Sequence, residues 1–408
     1  MASSSIILII KKKIKTTIVS YYDYILFVLG IYFIFDSRTN KKVIVYAGTQ
    51  LPGRISRIAK RVKKNSDYYT IVLCHNEGYN EKLTDPSFDN VFLYRNYWHA
   101  LRIIKGINNL LFIHGYAPKS RDIYYFKRYS KVPVLLDVQD VLTSYFETTP
   151  KYKWQQDEIH YEKKCFSEVD GLIAHSLEPL SAYKRGNIKN RPKTLFFPIF
   201  CDDDNFITTP KKISDTEIHI VYVGGVASIK SDIAETGNVV FHNLIEKLSK
   251  QKIHLHIYPS PVIDKSIYKE YQEIADLNRY FHFHEPVAQS KLSLELSQYH
   301  FGVLPFFRND NSRFSDDKFI YATSLKVFNY IEAGIPVLIA KDLTYLSWLI
   351  ERYKCGISIS YSDIEKLSEL IHIDNNQEYT SDLIKGRQRL SLQNNINKLL
   401  NFYKRFQA

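Results

Sequence analysis

The chain of 408 residues has only four cysteines, Cys74, Cys165, Cys201 and Cys355, far apart and with no C-x-x-C pair. That excludes a zinc ribbon or a disulfide scaffold and fits a reducing compartment. Fifteen glycines and 14 prolines are too few for a collagen-like or Pro/Gly low-complexity chain, and a mean hydropathy of -0.25 excludes a polytopic membrane protein. No internal repeat has a solenoid period. What is present is globular material: 45% hydrophobic and 24% charged residues, enough for two or three packed cores.

Acidic residues are scarce in one half only. Residues 1–200 hold 31 Lys+Arg against 17 Asp+Glu, a net +14, whereas 201–408 hold 24 against 26, a net -2. The asymmetry suits an anionic surface, nucleic acid or the negative cytoplasmic leaflet of a membrane, or else solvated basic helix faces. No base-stacking motif accompanies the charge, so a nucleic-acid partner is not expected.

Long hydrophobic runs are nearly absent. The run at 25–35 is uninterrupted but has 11 residues, and the longer window 16–35 contains Asp23, so a span is short and interrupted. Lysines flank it on both sides (Lys11–Lys13, Lys15; Lys41, Lys42), which gives no orientation by charge. The preferred reading is a helix lying in the membrane interface. A buried helical extension and a cleaved signal stay open, although no small-residue cleavage site follows.

From residue 42 onward, short β-branched or aromatic runs alternate with helix-length segments. Strands are predicted at 43–47, 69–74, 91–94, 110–114, 134–137, 171–175 and 194–197, and again at 218–223, 253–258, 280–284, 301–304, 336–339 and 356–359. Between the two series, 198–215 carries Pro198, Asp202–Asp204 and Pro210 and reads as a linker. The expectation is an α/β chain of two Rossmann-like domains facing a central cleft. The divisions are an N-terminal extension (1–40), a first domain (41–200), the linker (201–215), a second domain (216–375) and a C-terminal helix (376–408) packing back on the first domain.

Ligands in such sheets sit beyond the carboxyl ends of the strands. After the first strand, Gly48 and Gly53 flank a turn into a basic helix, which lets backbone approach an anion but lacks both G-x-G-x-x-G and a phosphate-loop lysine. The second domain opens with Gly224-Gly225 after a strand and Lys230 a short loop beyond. Most informative is Ser324-Leu-Lys326-Val-Phe-Asn329-Tyr330-Ile-Glu-Ala-Gly334-Ile-Pro336-Val. A helix over 324–333 puts Lys326, Asn329 and Tyr330 on one side, toward the cleft, with Val327, Phe328 and Ile331 inward. Gly334 then supplies the helix end. His254, His256, His282 and His284 alternate on strands but bring no third ligand at metal-site spacing, and Asp202–Asp204 reads as a cap or solvated turn; no metal site is expected.

The segment S-L-K-V-F-N-Y-I-E-A-G-I-P-V-L, with L-L-D-V-Q-D (135–140), V-D-G-L-I-A-H-S-L-E-P (169–179), V-Y-V-G-G (221–225) and Y-F-H-F-H-E-P-V (280–287), resembles the glycosyltransferases of the two-Rossmann GT-B fold, particularly the family 4-like group. The resemblance covers roughly residues 42–375. It implies a donor site in which Gly224 and Gly225 line the diphosphate, Lys230 and Lys326 offset its charge, Asn329 meets the ribose, and the loop of Glu285 borders the base. Gly225, Tyr321 and Asn329 replace the arginine and two glutamates usual there, a gap for Lys326, Arg308 or Arg313 to fill. On the acceptor side it implies a cleft-facing His114, which with Asp140 could position the acceptor hydroxyl or take its proton, and Gly48 and Gly53 near the acceptor. The implied activity is transfer of a sugar from a nucleotide-sugar donor to a lipid-linked or polysaccharide acceptor, with no cofactor, no metal and retention of configuration, in the cytoplasm at the inner face of the membrane. A catalytically silent sugar-nucleotide binder and an epimerase of the same fold are the alternatives.

Overall fold

The computed structural model describes residues 2–33, 40–49, 53–76, 86–116, 120–146, 150–209, 216–231, 239–308, 314–371 and 376–407, with side chains from residue 14 in the first helix and from 381 in the last part of the chain. Arg313 and the linker residues 210–215 lie outside the described residues. The chain begins α1 (Ala2–Val28), β1 (Val43–Gly48), α2 (Gly53–Asn65), β2 (Tyr69–His75), β3 (Asn90–Tyr94), α3 (Tyr97–Lys105), β4 (Leu110–Tyr116), α4 (Ser120–Tyr129), β5 (Val134–Val138), α5 (Leu142–Tyr145), α6 (Lys153–Glu168), β6 (Gly171–Ala174), α7 (Glu178–Arg185) and β7 (Lys193–Phe196). It continues β8 (His219–Gly224), α8 (His242–Lys250), β9 (His254–Pro259), α9 (Lys265–Leu277), β10 (Phe281–Phe283), α10 (Gln289–Leu296), β11 (Phe301–Leu304), α11 (Asp316–Tyr321), α12 (Leu325–Ala333), β12 (Val337–Ala340), α13 (Thr344–Arg352), β13 (Gly356–Ile359), α14 (Leu367–Leu370), α15 (Asn376–Arg389) and α16 (Leu392–Tyr403).

The strands form two sheets, ordered β3-β2-β1-β4-β5-β6-β7 and β10-β9-β8-β11-β12-β13, and the pairings are parallel. Helices cover both faces of such a sheet, so its strands are apolar without alternation; every residue of β1 and of β9 is buried. The C-terminal helix expected over 376–408 is two, α15 and α16, because Ser391 leaves the helical path and caps α16 by accepting from Asn394 N. α16 then lies on the first sheet, where Leu399, Phe402 and Tyr403 share a core with Ile44, Tyr46 and Phe112.

α1 docks by the side that carries Asp23, where Tyr24 and Phe27 also pack on Trp98. Asp23 is fully buried and accepts from Arg95 at 2.7 and 2.8 Å, from Arg102 at 2.9 Å and from Asn96 at 2.9 Å. Gly106 ends α3 where Phe33 crosses; a Cβ there would fall 1.4 Å from the Phe33 carbonyl oxygen. Opposite Asp23, Ile14, Ile18, Tyr21, Ile25, Val28 and Leu29 are exposed, and steps of four, three, four, three and one place them along one helical stripe. The expected apolar helical extension at the N-terminus is not supported as a span. Among the described residues no helix is long and apolar enough to cross a membrane, and the charge that interrupts α1 is what anchors it.

Candidate active site

Where the two domains meet, a cavity of about 340 Å³ is lined by Asp140 and Tyr145 from the first domain and by Phe306, Lys318, Ser324 and Lys326, among others, from the second. Asp140 follows β5 and is exposed; its Oδ1 accepts from the Tyr145 hydroxyl at 2.7 Å. Lys326 stands in the first turn of α12 and reaches over Gly224, whose φ of +129° and missing Cβ make room: a Cβ there would lie 2.3 Å from Lys326 Cε. The close approach demands glycine at the end of β8. Burial pushes the Lys326 amine below its ordinary value, with Asp140 pulling the other way. Lys318 faces the same cavity from α11, its Nζ 3.3 Å from the centre of the Phe314 ring and 4.7 Å from that of Tyr145. Burial pushes this amine down to about 8.

The structure therefore brings together Asp140, Gly224 and Lys326 of the expected residues. Gly225 follows at once, its carbonyl accepting from the Tyr222 hydroxyl at 2.9 Å. Gly53 opens α2 next to this region, with Leu325 Cδ2 3.4 Å from where its Cβ would be, whereas Gly48 is buried under the ring of Tyr116. Lys230 is exposed in a turn held by Ser228, which binds Glu270, and Glu285 is exposed and accepts from Tyr268 at 2.6 Å. Neither lines the cavity, and neither do Arg308, paired with Asp316 at 2.5 Å, and Tyr321.

Three expectations are corrected. His114 has no exposed surface: Nδ1 meets the Tyr403 hydroxyl at 2.6 Å and Nε2 meets Asp137 at 3.3 Å, because α16 closes over the end of its strand. Asn329 is 6% exposed and its Oδ1 accepts from Arg57 at 2.8 Å, so it faces the first domain and not the cleft. Tyr330 is wholly buried, its hydroxyl donating to the Val303 carbonyl at 3.1 Å and accepting from Val223 N–H at 3.1 Å. α12 is enclosed by protein on nearly every side, so only its first turn reaches the cavity. The sequence reading missed Lys318 and Tyr145, which belong to short helices with no apolar period.

The residues of α2 form an ionic seam of their own. Arg54 of α2 binds Asp137 at 3.1 Å and the carbonyls of Phe197 and Pro198. Arg57 forks onto Glu332 of α12 at 2.6 and 3.0 Å, and Arg61 binds Asp202 and Asp204 at 2.7 Å each. The acidic triplet is thus an ion-pair partner of α2, with Asp203 taking Ser391 and the Gln393 N–H. Histidines fill a separate place, one face of β8, β9 and β10. His219 meets His256 at 2.9 Å, His254 meets His282 at 2.9 Å, and His256 meets His284 at 3.0 Å. Among the described residues no group of three His, Cys, Asp or Glu could hold a metal ion.

Residues 233–401 match the family model of the glucosyltransferase 3-like C-terminal domain. No curated protein matches the chain. Among solved structures, HepE of Anabaena in complex with UDP and glucose is similar with a TM-score of 0.64 at 14% identity, over 88% of this chain and 98% of that one. The sucrose-phosphate synthase of Thermosynechococcus elongatus gives 0.63 at 11% identity, over 90% and 99%. TarM gives 0.59 at 12% identity, over 90% and 100%. These likenesses show the fold, the two-sheet GT-B architecture of glycosyltransferases, over nearly the whole chain.

Proposed function

We propose that a protein of this fold, with Lys326 facing Asp140 across the domain junction, is a glycosyltransferase that moves a sugar from a nucleotide-sugar donor to a lipid-linked or polysaccharide acceptor. The observation that carries the reading is that junction. A half-buried amine with no ion pair among the described residues opens on the same cavity as a carboxylate from the other domain, and a cation partly withdrawn from water gains by meeting an anion. A nucleoside diphosphate is such an anion.

The second domain holds the donor, with the backbone of Gly224-Gly225 and the Lys326 amine against the diphosphate. Negative charge grows on the leaving phosphate as the glycosidic bond breaks, and a fixed cation in a water-poor cavity stabilises that state more than the ground state. Asp140 is placed to receive the acceptor hydroxyl's hydrogen bond, and the domains hold both reactants in one orientation. Lys326 offsets leaving-group charge directly, so this reading asks for no metal. The family resemblance implies retention at the anomeric carbon, and it assigns Lys230 to the diphosphate and the loop of Glu285 to the base. For the family 4-like group in particular, the support is the motif around Lys326. The exposed stripe of α1, with Lys11–Lys13 and Lys15 near its start in the sequence, suits peripheral contact with an anionic leaflet, and on this reading the enzyme works at the inner membrane face on a lipid-linked acceptor.

A nucleotide-sugar panel assayed for release of nucleoside diphosphate tests the reading. Release with an acceptor present, abolished in Lys326→Ala and strongly slowed in Asp140→Asn, is the expected result. Because Asn329 is engaged by Arg57, a silent relative is the second reading; binding without release would favour it, and a converted donor sugar with no acceptor requirement would point to an epimerase.

A further inference from the structure

We propose that Lys318 is a second anchoring cation for the donor's diphosphate, forming with Lys326 a two-amine anion site in one cavity. The inference rests on the nucleotide-sugar reading above and adds to it a residue that the sequence motifs do not contain.

The argument begins with how α11 is held. Phe314 forms an isolated antiparallel bridge with Phe146 of the first domain. Ser315 N–H donates to the Tyr145 carbonyl at 2.7 Å, and the Ser315 hydroxyl donates to the Ser144 carbonyl. The same hydroxyl caps the helix by accepting from Lys318 N–H at 3.3 Å. The stem of Lys318 is therefore carried on a piece of the second domain stapled to the first, and its direction is set before any ligand binds. Such preorganisation lowers the ordering cost of a salt link.

The charges around Lys318 leave it available. On its own helix, Asp316 is paired with Arg308 at 2.5 Å, and Asp317 takes Arg185 at 2.7 Å and the Ser181 hydroxyl at 2.5 Å. From α5 and the loop before it, Tyr145 offers a ring and Asp140 a carboxylate already bonded to the Tyr145 hydroxyl. From α7, Glu178 is buried, its Oε2 accepting from Ser176 at 3.1 Å, and burial pushes its carboxyl well above the carboxylate range. From α12 comes the like charge of Lys326. Among the described residues Lys318 makes no ion pair. The rings of Phe314 and Tyr145 remove water from the amine and contribute cation–π attraction, which is smaller than the solvation lost on full burial. Two amines in this condition face one cavity that can admit a diphosphate, which carries two or more negative charges and several acceptor oxygens.

The sign of the pH dependence follows from the free protein. The Lys318 amine is pushed down to about 8, and an anion bound beside it raises that value. Affinity is then flat below pH 8 on account of this group and falls above it, because binding must take up a proton.

Calorimetric titration of the full chain with UDP, GDP and ADP, and with uridine as the phosphate-free control, tests this. Lys318→Gln should weaken the best-bound diphosphate by roughly 10- to 100-fold, the size of one charge-assisted hydrogen bond, and leave the nucleoside control unchanged, with an unaltered melting temperature. Lys318→Arg should keep affinity near the wild-type value at pH 7.5 and flatten the fall between pH 7.5 and 8.5. Equal affinity of Lys318→Gln and wild type, or an unchanged pH slope in Lys318→Arg, overturns the inference while the nucleotide-sugar reading stands on Lys326→Ala. A wild-type chain that binds no nucleoside diphosphate overturns both.

Discussion

The arginines of α2 and the lysines of the cavity sit in the same domain junction, and they differ in what meets them. Arg54, Arg57 and Arg61 each end on carboxylates, with carbonyl or amide oxygens completing all three forks. Lys318 and Lys326 end on aromatic rings and open space. Guanidinium is planar, always charged and suited to fixed bidentate pairs, whereas an ammonium on a flexible stem can meet an incoming anion from several directions. The chain thus separates cations consumed in internal pairs, of which Arg57 alone among the three reaches the second domain, from cations that wait for a ligand.

Removing one member of each set should show this most directly. Arg57→Ala leaves Glu332 buried without its cation, and a loss of about 3–5 kcal/mol of stability is expected, read by urea unfolding; a variant as stable as wild type would dissolve the distinction. Lys326→Ala should do the reverse, melting at or slightly above the wild-type temperature in the absence of nucleotide while diphosphate affinity drops by roughly 100-fold. Should that variant unfold several degrees earlier, Lys326 belongs with the arginines.

Acid sharpens the comparison from another side. Burial and neighbouring imidazoles push His282 down to about 4, so its folded form holds fewer protons than the unfolded chain below pH 6.5. The stability it contributes is complete above that pH and is lost as pH falls from 6.5 toward 4. A melting temperature that declines over this window, less steeply in His282→Gln, is expected, and one that does not change between pH 7 and 5 would show the histidine face of β8–β10 to be indifferent to protonation. The smallest effect should come from α1. Ile18→Asp with Ile25→Asp should abolish flotation with anionic vesicles and leave melting temperature and diphosphate affinity untouched; equal flotation with neutral vesicles, or loss of a dimer instead, would assign the stripe to another partner.

Much of this was readable along the chain. The strands show themselves as apolar runs because both faces of each sheet are covered, and Lys326 was found because Ala333-Gly334-Ile335-Pro336 marks a helix end before a buried strand. Asp140 was found by its place after β5. His114 occupies a comparable place in β4 and was misread, since a residue 289 positions away, Tyr403, takes its Nδ1. Asn329 looked like a cleft residue by helical spacing, yet Arg57, 272 positions away, claims it. Lys318 left no signal, because a six-residue helix has no period to read.

Strand and helix identity, the two-sheet plan and the lysine of the α12 motif were determined by the sequence alone, since they follow from patterns repeating over a few residues. Which polar groups face the cavity and which are consumed in the seam was decided only by the tertiary structure. The reason is physical: burial and pairing depend on contacts between segments hundreds of residues apart, and the same side chain is a ligand-ready charge or a structural rivet according to what folds against it.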